Sequence, residues 1–250
     1  MTDNKKMKMN KNIGICAHSY EGGALCFITS CREGAAFLGA HMHPEIIMSA
    51  IPMGLSMNGW ETNNYEEVGM FLSKGVEQVA MGGANFFICP DNTAHIVLER
   101  IIDRLPIPGL HIADVVCSEI ANNDWKKIGL LGTIWTMTGE VYSNALKKRN
   151  LTKLIPTEPL MAQINDAIFE ELCQGVFRQE TIRLFQDSIE LLKQQGADCV
   201  ILGCTEIPLI INSDNSPLPI LDTTRLLAKY AVKIALSEKD LPKRGWVSII

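Results

Sequence analysis

Apolar residues along this chain fall into two kinds of run. Some are short and continuous and stop abruptly in small polar residues, the pattern of a parallel strand covered on both faces. Others recur at helical spacing and mark one apolar face. Ile13-Gly14-Ile15-Cys16-Ala17 is the first strand, ending at His18-Ser19-Tyr20-Glu21-Gly22-Gly23. A helix is expected over 24–40, a strand over 44–52 between two prolines, and a Gly- and Asn-rich loop over 53–64. Val68, Phe71, Leu72, Val76 and Val79 share one face and predict a helix over 65–81. Residues 86–88 form the next strand, which stops at Cys89-Pro90-Asp91-Asn92-Thr93. A helix then runs to about residue 105, and Pro106-Ile107-Pro108 introduces a strand over 109–112.

The second half repeats this order. Lys127-Ile128-Gly129-Leu130-Leu131-Gly132-Thr133 echoes the run from Asn12 at an offset of 115 residues, and Gly196 to Thr205 lies over Gly83 to Asn92 at an offset of 113. The second alignment sets Cys204 opposite Asp91. Helices are expected over 139–149 and, in two pieces, over 160–195; a strand over 199–202 follows, and 217–221 parallels 106–112. Offsets this close point to duplication of one α/β unit. The expected fold is therefore α/β, two pseudo-symmetric parallel-sheet domains with the active site in the cleft between them. The N-terminal domain is read as 1–118 plus 224–250 and the C-terminal domain as 119–223, with a last helix over 222–237 packing back on the first.

Composition narrows the function classes. A chain of 250 residues, 47% hydrophobic and 20% charged, can bury a sizeable core. Its net charge of -5 argues against a nucleic-acid partner. The lysine-rich residues 1–12 have no apolar core, so they are read as a disordered lead-in, neither signal peptide nor membrane span. Eight cysteines without a C-x-x-C pair suggest reduced thiols in the cytoplasm and no metal site. Neither G-x-G-x-x-G nor a G-K-S/T motif follows the first strand, which leaves nucleotide binding unsupported. The expectation is a small amino acid or carboxylate as partner, no cofactor, and a homodimer.

Four motifs carry the chemistry: Ser19-Tyr20-Glu21, Asp91-Asn92-Thr93-Ala94-His95, Leu131-Gly132-Thr133 with Thr136-Met137, and Gly203-Cys204-Thr205-Glu206. In this order on duplicated halves, over roughly residues 12–238, they resemble the cofactor-independent aspartate/glutamate racemase superfamily. That family uses two cysteines on opposite sides of the substrate Cα as proton donor and acceptor. Cys204 matches the second; Asp91 stands where the first is expected. The resemblance implies that Ser19, Asn92, Thr93, Thr136 and Thr205, with Thr133 beside them, hold the substrate's carboxylate or ammonium group, and that Glu206 orients the ammonium. Short hydroxyl and amide side chains at strand ends also make an oxyanion pocket on physical grounds. Relatives acting on aspartate bring an arginine from the loop after the second strand; here no arginine occurs between Arg32 and Arg100, and that loop holds Met53, Met57 and Trp60.

Several readings stay open at this point. Asp91 is also a good helix cap, and His18 and His95 are either acid/base groups or hydrogen-bonded loop residues. Trp60 and Trp135 either shape a pocket or pack. The expected activity is a racemase or epimerase inverting an amino-acid Cα by two-base transfer between Asp91 and Cys204. The alternatives are a one-cysteine decarboxylase or isomerase of a small carboxylate, and a catalytically silent binding protein. Unperturbed acidities favour the carboxylate-plus-thiol form over its exchanged form by about 6 kcal/mol. Turnover in both directions then calls for partial burial to raise Asp91 and a helix N-terminus to lower Cys204.

Overall fold

A computed structural model describes residues 11–249; most of the expected disordered lead-in lies outside them. The first strand, β1 (Ile13–Ala17), is buried at all five positions. Helix α1 (Tyr20–Leu38) begins at Ser19, whose side chain accepts the Gly22 N–H as a helix cap. It starts earlier than the expected 24–40 because its glycines serve packing and not a loop. A Cβ at Gly22 would lie 2.6 Å from Thr205 Cγ2 and 2.9 Å from the Pro90 carbonyl oxygen. Strand β2 (Ile46–Ala50) follows. The stretch expected as loop contains a 3-10 turn, Met53–Leu55, and the short helix α2 (Met57–Glu61). Helix α3 (Tyr65–Met81) is capped by Asn64 and buries Val68, Leu72, Val76 and Val79 of the face read from the sequence, while Phe71 at its edge is half-buried.

After β3 (Phe86–Ile88) come α4 (His95–Ile101) and a 3-10 turn, Ile102–Arg104. The expected strand over 109–112 is not formed. Only Gly109 bridges, to Phe87 on one side and Trp246 on the other, and α5 (Ile112–Ile120) starts at once. Gly109 is wedged between two rings: a Cβ there would meet Phe87 Cζ at 2.6 Å and Trp246 Cζ3 at 2.9 Å. The second half runs β4 (Lys127–Gly132), α6 (Ile134–Thr138), α7 (Glu140–Lys147), β5 (Thr152–Leu154), α8 (Glu158–Glu170), α9 (Gln179–Gln194), β6 (Cys199–Gly203), β7 (Ile220–Asp222) and α10 (Thr223–Leu236). The pattern had missed α5, α6 and β5, which are short and lack a long periodic face.

Two sheets result, ordered β2-β1-β3 and β5-β4-β6-β7, with every strand pair parallel. The first three strands of each half therefore sit in the same order, the structural counterpart of the repeated sequence. One core cluster surrounds the second sheet, from Ile128, Leu130 and Leu131 to Val200, Ile201 and Leu202. Two others cover the faces of the first sheet: Ile13, Ile15 and Phe86 against Leu227, Ala228 and Ala231 of α10, and Phe87 and Cys89 against Val76 and Val79 of α3. The last helix thus lies on the first sheet, beside α1 and α5. No described helix is long and apolar enough to cross a membrane. The fold is α/β, built on two parallel sheets.

Candidate active site

In a parallel α/β sheet the carboxyl ends of the strands are where backbone runs out and side chains converge. The loops after β1, β3, β4 and β6 all meet one small cavity of about 50 Å³. Ser19, Asp91, Asn92, Thr93, Thr133, Cys204, Thr205 and Glu206 line it, so eight of the nine expected site residues come together. The ninth, Thr136, is buried behind the wall, its hydroxyl 3.0 Å from that of Thr93 and 3.2 Å from that of Thr133. Thr93 and Thr133 are themselves 3.0 Å apart, which makes a triangle of three hydroxyls at the edge of the cavity. Such a cluster can turn its protons toward an anion.

Asp91 is held by both oxygens. His18 Nδ1 lies 2.6 Å from Oδ2, and the Ala94 N–H donates to Oδ1 at 3.0 Å. Oδ1 thus accepts from Ala94, the residue before α4, whose own start carries no side-chain cap, while Oδ2 faces His18 and the carboxyl lines the cavity. Burial pushes the Asp91 carboxyl up, but the bond and charge of His18, with the Ala94 N–H, bring it on balance below its ordinary value. This reverses the expectation that burial would raise it.

Cys204 moves in the opposite direction. Its thiol donates to Glu206 Oε2 at 2.9 Å. Burial first, and then the Glu206 carboxylate, hold the thiol well above the ordinary range. The expected helix N-terminus that would lower it is absent, because only a 3-10 turn, Ile207–Leu209, follows. Glu206 is itself engaged, accepting also from Thr205 Oγ1 at 2.7 Å and from Ser19 Oγ at 3.3 Å. One Glu206 oxygen, Oε2, thus takes both the Thr205 hydroxyl and the Cys204 thiol.

Two expected residues have settled duties. Asn92 lines the cavity, yet its Oδ1 accepts from the Tyr142 hydroxyl at 2.5 Å and its amide donates to Thr223 Oγ1 at 3.0 Å. Thr223 in turn donates to the Leu202 carbonyl, so the chain of bonds ties the Asp91 loop to β6. His95 is fully buried and faces the backbone: Nδ1 donates to the Asp91 carbonyl at 2.8 Å and Nε2 accepts from the Ile112 N–H at 3.3 Å. Burial, with neighbouring His111, pulls it down to about 3, a neutral ring whose one N–H is committed to the Asp91 carbonyl. The acid/base reading of His95 is thereby replaced by a structural one.

The rest of the wall is apolar: Met53, Met57, Trp60, Trp135, Ile168 and Phe169. Trp135 bridges Trp60 and Phe169, with ring centroids 6.0 and 6.1 Å apart, so both tryptophans shape the pocket and pack. Among the described residues the wall carries no lysine or arginine, and Arg178, a conceivable supplier, is mostly exposed and paired with Glu171. No group of three or more metal-ligating side chains occurs among the described residues. The sequence places Ser56 in the loop after the second strand without giving it a role, and it carries no signal for Tyr142 or Phe169, which the fold brings to the site.

Comparison with known proteins decides the family. A family model described as Asp/Glu/hydantoin racemase matches residues 26–231. The chain belongs to this racemase family. The resemblance read from its motifs is thus shown, and with it membership in a family of isomerases. A curated relative, the broad specificity amino-acid racemase RacX of Bacillus subtilis, is 30% identical over 70% of this chain and 75% of its own. A solved structure described as a putative Asp/Glu racemase from Yersinia pestis superposes with a TM-score of 0.82 at 28% identity, covering 91% of this chain and all of that one. An aspartate racemase homologue from Pyrococcus horikoshii, at 24% identity and a TM-score of 0.77 over 92% of this chain and all of its own, shares the fold.

Proposed function

We propose that the protein is a cofactor-independent racemase or epimerase that inverts the Cα of a small amino acid with an uncharged side chain. The observation that carries this reading is the meeting of Asp91 and Cys204, the equivalent positions of two repeated strand ends, on the wall of one cavity. In the resting enzyme Asp91 is the carboxylate base and Cys204 the thiol acid. The Cα proton passes to Asp91, the hydroxyls of Thr93 and Thr133 face the charge that grows on the carboxylate oxygens, and Cys204 delivers a proton from the opposite side. The proton then sits on Asp91 and the thiolate on Cys204, and this exchanged form returns to the resting one by turning over the opposite enantiomer or by trading both protons with solvent. Ser19 and Thr205 hold Glu206 in place, while Asn92 positions the loop.

A wall of methionine and aromatic side chains without a fixed cation supports an uncharged substrate side chain, because an unpaired carboxylate would be desolvated at a cost of several kcal/mol. The name of the Bacillus subtilis relative, broad specificity amino-acid racemase, agrees with this. Eight free cysteines support a reducing compartment, the cytoplasm, and a homodimer is the assembly to test by light scattering. Incubation of the purified protein with single enantiomers of alanine, serine, valine, leucine, methionine and aspartate, read by chiral chromatography without added pyridoxal phosphate, tests the function. Inversion of the neutral amino acids ahead of aspartate is expected. Strict selectivity for aspartate contradicts the substrate assignment.

One observation favours a second reading. A cysteine kept as a neutral thiol is also the acid that an enzyme needs after releasing carbon dioxide from a small dicarboxylate. Carbon dioxide release without any Cα hydrogen exchange would identify that chemistry.

A further inference from the structure

Ser56 lies in the turn between Met53–Leu55 and α2 and is 1% exposed. Its hydroxyl donates to the Met53 carbonyl at 2.9 Å and sits 2.7 Å from His18 Nε2. A hydroxyl has one proton and two lone pairs. With that proton on Met53, the contact with His18 requires Ser56 to accept, so Nε2 must carry hydrogen. The other ring nitrogen, Nδ1, faces Asp91 Oδ2 at 2.6 Å. The one remaining proton then lies between His18 and Asp91.

We propose that Ser56 is a positioning residue for the reaction: by accepting from His18 Nε2 it keeps hydrogen on that nitrogen, so that the ring supports the Asp91 carboxylate with an Nδ1–H hydrogen bond while Nε2 also bears hydrogen. This rests on the reading of Asp91 as the base. Ser56 touches neither Asp91 nor the reacting carbon in this scheme and acts through the imidazole. Its place in the chain gives that action a second meaning. Met53, Met57 and Trp60, the neighbours of Ser56 in sequence, form the apolar wall against which the substrate side chain would rest. The segment that reads the side chain is therefore hydrogen-bonded, through one ring, to the carboxylate that takes the proton.

Other titratable groups face the pair. Cys204, Cys173 and Glu206 look in from the second half, and Glu21 lies beside them in the adjoining groove. Cys89 and His95 stand behind Asp91. None of these touches His18 Nε2, where Ser56 is the hydrogen-bond partner. Removing the hydroxyl is therefore a local change to one ring nitrogen. Without an acceptor nothing holds hydrogen on Nε2, the ring passes to the Nδ1–H form with no second N–H behind it, Asp91 loses support for its charge, and the base is lost at a higher pH.

The test has two arms. In protein labelled with 15N-histidine, the ring nitrogens of His18 are assigned by comparison with His18→Gln. Wild type is expected to show Nε2 bearing hydrogen across the pH range in which Asp91 is ionised, and Ser56→Ala is expected to shift the neutral ring to the Nδ1–H form, with Ser56→Thr restoring the wild-type signals. In the second arm, the acid limb of kcat/KM moves to higher pH in Ser56→Ala and returns in Ser56→Thr. A wild-type Nε2 without hydrogen overturns the proposal, as does a Ser56→Ala protein that is folded and slower but has an unmoved acid limb. Failure of the underlying reading is separately visible, since then wild type itself shows no Cα hydrogen exchange while the nitrogen signals are unaffected.

Discussion

Asp91 accepts from two donors that favour its ionised form, and the Cys204 thiol faces a carboxylate that favours its neutral form. The two shifts are opposite, so the site widens the difference of about 6 kcal/mol between the two proton arrangements that unperturbed groups would show. One arrangement is therefore the resting one. Because enantiomers have equal free energy, the asymmetry cannot appear in the equilibrium or in the ratio of kcat/KM values; it appears in which enantiomer exchanges hydrogen with the resting enzyme. The residue pair was legible in the sequence, since the offset of 113 set Asp91 opposite Cys204. The direction of the shifts was not, because it depends on His18 and Glu206, whose roles come from hydrogen bonds across loops. A second prediction at this scale concerns His95. Its folded value of about 3 lies below the ordinary 6.5. The unfolded chain thus binds a proton that the folded chain refuses, and stability present above pH 6.5 is lost as pH falls toward 3, by up to about 5 kcal/mol. Denaturant unfolding across that range should show the fall, and His95→Gln should flatten it. Equal pH slopes in the two proteins would contradict the burial of a neutral His95.

The elements that position these residues depend on close approach. Gly22, in the first turn of α1, sits against Thr205 and the Pro90 carbonyl, so the helix end touches the loops that carry Cys204 and Asp91. Gly22→Ala should cost about 1–3 kcal/mol by overpacking and lower activity more than a surface Gly→Ala change such as Gly54→Ala, since nothing lies within 4 Å of a Cβ there. Unfolding midpoints and turnover of both variants check this; matching losses would remove the packing role. Tyr142→Phe should leave the buried Asn92 Oδ1 without its partner, at about 1–3 kcal/mol, read in urea. An unchanged midpoint would mean that another donor, such as water, replaces the hydroxyl. Long elements with continuous runs or one-sided faces, β1, α3, β6 and α10, were readable from the pattern. Helices α2 and α6, of five residues each, were not, because one turn carries no period. The expected strand at Gly109 failed for a tertiary reason, the two rings that confine it.

At the scale of the whole molecule, a three-strand and a four-strand sheet, with their first three strands in the same order, hold equivalent loops against one cavity. We propose that they are domains, 1–118 with 224–250 and 119–223, joined where α10 returns to the first sheet. The central claim is that Asp91 and Cys204 work on opposite sides of one carbon with unequal protonation. Incubation of each enantiomer of a turned-over amino acid in deuterated water, with Cα deuterium and configuration followed together by mass spectrometry and chiral chromatography, tests it most directly. The account predicts that one enantiomer exchanges with the resting enzyme, that Asp91→Asn abolishes that exchange, and that Cys204→Ala preserves it without inversion. Exchange that survives Asp91→Asn unchanged would contradict the account and leave Asp91 as the acceptor that ties down the Ala94 N–H ahead of α4.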